Sequence, residues 1–318
     1  MHVLVTGGAG FIGSHLCEAL LARGDEVVCL DNFDDYYDPA RKRANVAAFA
    51  THPRCSLVEA DVRDREGLAA LFEQAGGFDA IAHLAAMAGV RASVRQAVLY
   101  TQVNVLGTVH LLDLARDYGV GNFVFASTSS VYGRTRRLPF VEDDAADRPL
   151  APYPATKRAC EMMGHAYHNM HGLNFTALRL FSVYGPRGRP DMMPYTIVHR
   201  LVHDQTIVLF EGGRMRRDWT YVDDIVRGVV AALDRPLGYE VINLGRGEPI
   251  WMDRFVRILE ALVGKKARLE TPPAPASEPP VTYADIGKAR RLLDYHPTTS
   301  VEEGLARLWA WYRAEIGG

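Results

Sequence analysis

Glycines 7, 10 and 13 stand three apart in Val3-Leu4-Val5-Thr6-Gly7-Gly8-Ala9-Gly10-Phe11-Ile12-Gly13, directly behind a short apolar run and at the head of a helical pattern. Few architectures need that spacing in that place. Between a strand and a helix, Gly7 permits a tight turn, Gly10 lets a pyrophosphate approach the backbone, and Gly13 lets the helix pack close, its N-terminus toward the phosphates. The expected ligand is a dinucleotide, held by Gly7, Gly10, Phe11, Ile12 and Gly13. Asp31 closes the second apolar run 18 residues after Gly13. A carboxylate there, followed by Asn32, can accept the adenosine ribose hydroxyls and would repel a 2′-phosphate, which favours NAD over NADP. Farther on, Glu59-Ala60-Asp61-Val62 offers Asp61 and Val62 to the adenine, although an aspartate at that point serves equally as a helix N-cap.

Short apolar runs (Val3–Val5, Val27–Leu30, Ile81–His83, Phe123–Ala126) alternate with helical patterns over Ser14–Arg23, Arg65–Gln74 and Thr101–Asp117. Runs apolar at nearly every position are strands covered on both faces, as in a parallel sheet. The predicted fold class is α/β: a doubly wound, parallel-sheet Rossmann domain over residues 1–180, with a returning strand near 239–245. A smaller α/β substrate-binding domain takes most of 181–318. A strand at Phe175–Leu180 ends the first domain and leads into the loop Gly185–Pro190, followed by a helix at Pro194–His203 and a strand at Ile207–Phe210 before a turn at Gly212-Gly213. A helix at Val222–Leu233 and the strand Glu240–Leu244 follow, and five prolines within 271–280 predict an extended segment.

Thirty-six Lys and Arg against 38 Asp and Glu leave a net charge of −2 in 318 residues, so no bulk field draws the chain to nucleic acid or an anionic membrane. Any anionic ligand must be held locally. The first apolar run ends at Gly7, too short for a signal segment, and no stretch approaches about 18 uninterrupted apolar residues. Cys17, Cys29, Cys55 and Cys160 are far apart with no Cys-x-x-Cys pair, which argues against a disulfide framework or structural zinc and fits a cytoplasmic protein. His165, His168 and His171, and His199 and His203, have helix-face spacing, but without a partner carboxylate cluster they predict no metal site.

Tyr153 and Lys157 stand four apart at the start of a helix that Pro154 suits and Gly172 can end. Alone, that pair also fits an ordinary amphipathic helix. Thr128 supplies context: it ends the strand-like run Phe123-Val124-Phe125-Ala126-Ser127-Thr128, 25 residues before Tyr153, where a doubly wound sheet binds its ligands. A tyrosine near an ammonium, a helix N-terminus and an oxidised nicotinamide is expected to ionise more readily than its usual pKa of about 10 allows, and so to act as a base.

With the glycine turn and Thr128, Tyr153 and Lys157 in hand, the chain resembles the extended short-chain dehydrogenase/reductase family over nearly its whole length. Within it, three segments are similar to nucleotide-sugar 4-epimerases, most of all those acting on UDP-glucuronate: Asp31–Pro39, Val183–Met192 and Met215–Asp224. The resemblance implies a homodimer, packed through helices near Val98–Asp117 and Ala155–His171. It also implies a transient 4-keto sugar, formed as Tyr153 takes the 4-hydroxyl proton with Thr128 aligning it, and reduced again on its other face by the same NAD. Ser129, Ser130, Ser182 and Arg189 would line the uronate carboxylate and Arg217 would meet the UDP phosphates. Related 4,6-dehydratases carry an acid pair after the threonine, and decarboxylases a glutamate. Ser129 and Ser130 are poor proton reservoirs, so simple epimerisation is expected. Arg187 and Arg189 could otherwise be solvated loop residues. The chain departs from many relatives by reading Pro275-Ala276-Ser277-Glu278 where they carry Arg-x-Gly-Asp. A neutral-sugar epimerase such as one acting on UDP-glucose, or a non-catalytic NAD-binding protein, are the alternatives.

Overall fold

The computed structural model describes residues 1–275 and 279–315. Its centre is a seven-stranded sheet of β1 (His2–Thr6), β2 (Glu26–Asp31), β3 (Cys55–Glu59), β4 (Ala80–His83), β5 (Asn122–Thr128), β6 (Phe175–Leu180) and the strand Tyr239–Leu244. The spatial order is Tyr239–Leu244, β6, β5, β4, β1, β2, β3, with every neighbouring pair parallel. Burial on both faces explains the unbroken apolar runs. Val3 and Val5 join one core cluster while Leu4 between them joins the other, with Ile81, Phe123 and Phe125. Such side chains contribute about 1.5–3 kcal/mol each when fully buried.

The chain first winds outward from β1 to β2 and β3, then returns to β4 on the other side of β1. Thr6 thus faces Leu30 across one ladder and His83 across the other. Strand order reverses there, and the carboxyl ends of β1 and β4 open a crevice. Helix α1 (Phe11–Arg23) starts at that crevice and stops at Gly24 in the left-handed region, φ 95°.

The expected helix over Thr101–Asp117 is not uniform. Thr101–Leu106 forms a π-helical turn before the α-helix Gly107–Asp117. The wider turn aims buried Asn104 inward, where Nδ2 donates to the Met87 carbonyl and Thr156 Oγ1, both at 3.0 Å, and Oδ1 accepts from Met87 N at 2.8 Å. Periodicity cannot reveal an inserted residue of this kind, and π-bulges recur near functional sites.

Beyond β6 the chain makes smaller sheets. β7 (Ser182–Tyr184) pairs with Trp219–Tyr221, and Arg216–Arg217 lies between Ile250–Trp251 and Val281–Thr282. Thr206–Val208 is a strand and Phe210–Gly213 a 3-10 turn, so the expected strand at Ile207–Phe210 ends two residues early. Helix α2 (Pro39–Ala47), capped by Asp38, and the helices Met252–Val263 and Val301–Glu315 add to the expected set. Of the proline-rich stretch, and of the segment that departs from Arg-x-Gly-Asp, Ala276, Ser277 and Glu278 lie outside the described residues.

Candidate active site

A cleft of about 450 Å³ opens at the carboxyl edge of the sheet. Sheet order places Asp31, Asn32, Asp61 and Val62 beyond β1 on one side, and Thr128, Ser129, Ser130 and Ser182 on the other. Gly7, Gly10, Phe11, Ile12 and Gly13 lie at the turn between them, and Tyr153, Lys157 and Arg189 line the same cleft.

The turn is built for a close visitor. Gly7 has φ 69°, and a Cβ on it would stand 2.7 Å from Ala85 N. Its N–H donates to the Leu30 carbonyl at 2.7 Å, tying the turn to β2. Gly10 caps α1 with no side chain, leaving first-turn N–H groups for a phosphate. The buried Asp31 accepts from Phe33 N at 2.8 Å and Ala9 N at 3.2 Å, with the Lys42 ammonium 3.5 Å away. These residues fit NAD: anion donors at the turn and a fixed carboxylate at the end of β2.

Asp61 is not the helix cap that its position also allowed. Asp64 caps α3 (Arg65–Ala75) by accepting from Gly67 N at 3.0 Å. Asp61 accepts from Asn32 Nδ2 at 2.9 Å and from both Nε and Nη2 of Arg63. The Arg63 hydrogen bonds lower its carboxyl to about 2.

Pro152 starts the Tyr153 helix (Pro152–His171) and Gly172, at φ 70°, ends it. Lys157 Nζ donates to the Ala126 carbonyl at 2.8 Å and sits 4.6 Å over the Phe125 ring. Burial lowers this ammonium to about 8. The neighbouring ammonium does not by itself make Tyr153 readily ionised. Burial raises the Tyr153 phenol above its ordinary value, and the opposing pull comes from the Arg189 charge and a hydrogen bond with Thr128. The helix start is a dry place, and desolvation outweighs both. Thr128 Oγ1 also accepts from Ser130 N at 3.2 Å, which fixes the 3-10 turn carrying the two serines.

The two loop arginines diverge, and neither is a free surface charge. Arg187 pairs with Glu18 of α1 at 3.0 and 2.5 Å. Arg189 donates from Nε and Nη2 to Asp191 at 2.9 and 2.6 Å, and its guanidinium lies 5.4 Å over the Tyr36 ring. Arg217 stands apart from the cleft lining on its short strand, where Nη1 donates to the Arg216 carbonyl at 2.9 Å. The histidines serve as local links: His168 Nδ1 to the Leu173 carbonyl and His199 Nδ1 to Tyr312 Oη.

Sequence reasoning passed over Asn104, Lys42, Tyr36 and Asp191. It also passed over Glu161, which accepts from Ser127 Oγ at 2.6 Å and from buried Arg179 behind the site. One signal was available: Arg179 is the lone charge in the apolar run Phe175–Leu180.

A glycine turn that fits a dinucleotide, joined to a threonine, tyrosine and lysine at the same sheet edge, defines a nicotinamide-dependent class of protein. The family model described as "NAD dependent epimerase/dehydratase family" matches residues 3–245, and the chain belongs to that family. It is 42% identical over 316 residues to a UDP-glucuronate 4-epimerase of Thermodesulfobacterium geofontis, covering 99% of this chain and 97% of the other. Among solved structures, it resembles the UDP-glucuronic acid 4-epimerase of Bacillus cereus in complex with UDP-glucuronic acid and NAD. The TM-score is 0.92, with 36% identity and 99% of each chain covered. A dTDP-glucose 4,6-dehydratase of Streptomyces venezuelae with NAD bound is also close: TM-score 0.91, 34% identity, 100% of this chain and 98% of the other. The same fold therefore carries more than one chemistry, and the site must decide.

Proposed function

We propose that this chain is an NAD-dependent isomerase that inverts C4 of a UDP-sugar, interconverting UDP-glucuronate and UDP-galacturonate. The observation that carries the reading is the presence of Arg189 in one cleft with Thr128 and Tyr153, which puts a carboxylate-binding cation beside a proton carrier. The T. geofontis and B. cereus proteins, alike over nearly their full lengths, act on that sugar by name.

When bound, NAD supplies the two-electron oxidation of the C4 alcohol and its reversal. The chain's own residues do the rest. The glycine turn and Asp31 hold the dinucleotide. Tyr153 Oη takes the proton of the 4-hydroxyl and later returns it, with the Thr128 hydroxyl sharing the hydrogen bond and the charge of Arg189 offsetting part of the cost of a buried phenolate. The 4-keto uronate is a β-keto acid, which loses CO2 when its carboxylate stands perpendicular to the ketone plane. Arg189 with Ser129, Ser130 and Ser182 would prevent that by fixing the carboxylate. No carboxylic acid follows Thr128, so elimination of water lacks its proton carrier, which separates this site from a dehydratase. Arg217 is assigned to the UDP phosphates by resemblance alone.

The active form is proposed to be a cytoplasmic homodimer. Val98, Leu106, Met162 and Met170 stand exposed on the helices at 97–117 and 152–171, an apolar face that a second copy would cover. No described helix is long and apolar enough to cross a membrane.

Incubating the NAD-loaded protein separately with UDP-glucuronate and UDP-glucose, and following C4 configuration by proton NMR, tests the reading. Inversion of the uronate supports it. Inversion of UDP-glucose alone would assign a neutral-sugar epimerase, and no inversion of either a binding protein.

A further inference from the structure

We propose that Asp191 is a positioning residue that sets the preference of this site for a uronate over a neutral hexose, by holding one edge of the Arg189 guanidinium and leaving the other for the substrate carboxylate. The proposal rests on the uronate reading above and names a residue outside that set. A guanidinium is a planar fork with two edges that each match a carboxylate, Nε with Nη2 and Nη1 with Nη2. In this protein the first edge is taken: Nε donates to Oδ1 of Asp191 at 2.9 Å and Nη2 to Oδ2 at 2.6 Å. Arg189 lines the cleft, and a ligand there would be met by the second edge.

Asp191 is itself held from a different part of the chain. Tyr36 Oη donates to its Oδ2 at 3.2 Å, and the ring of the same tyrosine lies under the guanidinium at 5.4 Å. Tyr36 is anchored in turn by its N–H to Asp34 Oδ1 at 2.9 Å. Two segments, 32–38 after β2 and 185–192 after β7, thus meet on one arginine. A long cationic side chain loses rotamer freedom when it binds a ligand, and a buried cation without a counter-charge is costly. Asp191 and Tyr36 meet both costs before the substrate arrives. A hexose with a neutral C6 hydroxymethyl draws little from that arrangement, whereas a uronate takes two charge-assisted hydrogen bonds from it.

The test measures dissociation constants of UDP-glucuronate and UDP-glucose by calorimetry on NAD-loaded protein, for the wild type, Asp191→Asn, Tyr36→Phe and Arg189→Ala. Asp191→Asn is expected to weaken UDP-glucuronate about tenfold while UDP-glucose moves by less than about twofold, with Tyr36→Phe shifting the same ratio less. An unchanged or tighter uronate complex in Asp191→Asn overturns the proposal, because Asp191 would then be idle or a competitor for Arg189. Parallel weakening of both nucleotides also overturns it, since that marks a general structural role. If Asp191→Asn fails to fold, the Tyr36→Phe ratio decides alone. A wild type without preference for UDP-glucuronate, or an Arg189→Ala variant that keeps the preference, defeats the uronate reading and takes this proposal with it. Normal behaviour of those two with an indifferent Asp191→Asn defeats this proposal only.

Discussion

Arg179 and Glu161 form a two-pronged ion pair inside the core, Nε to Oε1 at 3.0 Å and Nη2 to Oε2 at 2.8 Å, with side chains 1% and 0% exposed. Although burial works against the charge, Glu161 holds the arginine above its ordinary value. The pair sits directly behind the site: Ser127, next to Thr128, donates to Glu161, and Lys157 lies one turn earlier on the same helix. Removing one member of such a pair leaves a buried charge without its partner and costs about 3–5 kcal/mol, whereas apolar replacement of both is often neutral. Glu161 Oε2 keeps Arg158 Nη1 at 3.0 Å, so Arg179→Met is expected to destabilise the protein by less than that amount, about 2–3 kcal/mol read from urea unfolding, and adding Glu161→Leu to recover most of it. Equal losses in the single and double variants would show that packing, not charge, governs the position.

Tyr153→Phe removes the phenolic oxygen and little else, because the ring keeps its edge contact with Tyr100 at 6.3 Å. A positioned proton carrier contributes about 10²–10⁴-fold, so turnover of UDP-glucuronate is expected to fall at least that far. Bound NAD, measured by absorbance after denaturation, and the melting temperature should be unchanged. Near-normal turnover would remove Tyr153 as the base.

Much of this was legible in the chain itself, for identifiable reasons. The glycine turn and Asp31 announce themselves because a dinucleotide constrains backbone and side chain over a short span, which leaves a local pattern. Phe175–Leu180 and Val222–Leu233 match the observed elements because a short, mostly apolar run marks a buried strand and apolar residues at helical spacing mark the helix. Long-range effects were hidden. The resistance of Tyr153 to ionisation follows from packing around the helix start, and the tie between Arg189 and Asp191 looks in sequence like two charges in a loop. The Tyr36 contact joins residues 155 apart, a distance that no local pattern encodes. The π-turn at Thr101–Leu106 was missed because one inserted residue barely disturbs a 3.6-residue period.

His83, at the end of β4, is fully buried between two hydroxyls, with Nδ1 2.6 Å from Thr6 Oγ1 and Nε2 3.0 Å from Thr108 Oγ1. Thr108 Oγ1 spends its proton on the Asn104 carbonyl, so it accepts from Nε2, and the neutral ring receives the Thr6 proton at Nδ1. Burial, helped by the Lys157 charge, lowers this imidazole to about 3, and burial lowers His15 to about 4. Both folded values lie below the usual 6.5, so between them the unfolded chain binds more protons and stability falls as pH falls. The loss begins near pH 6.5 and, for His83, is complete only near 3. At pH 4.5 the His83 share amounts to about 3 kcal/mol. Urea unfolding from pH 7 to 4.5 should therefore show the stability gap between wild type and His83→Gln shift by about that amount in favour of the variant. A gap that stays constant across that range would mean that the folded protein accommodates a charged ring at this position.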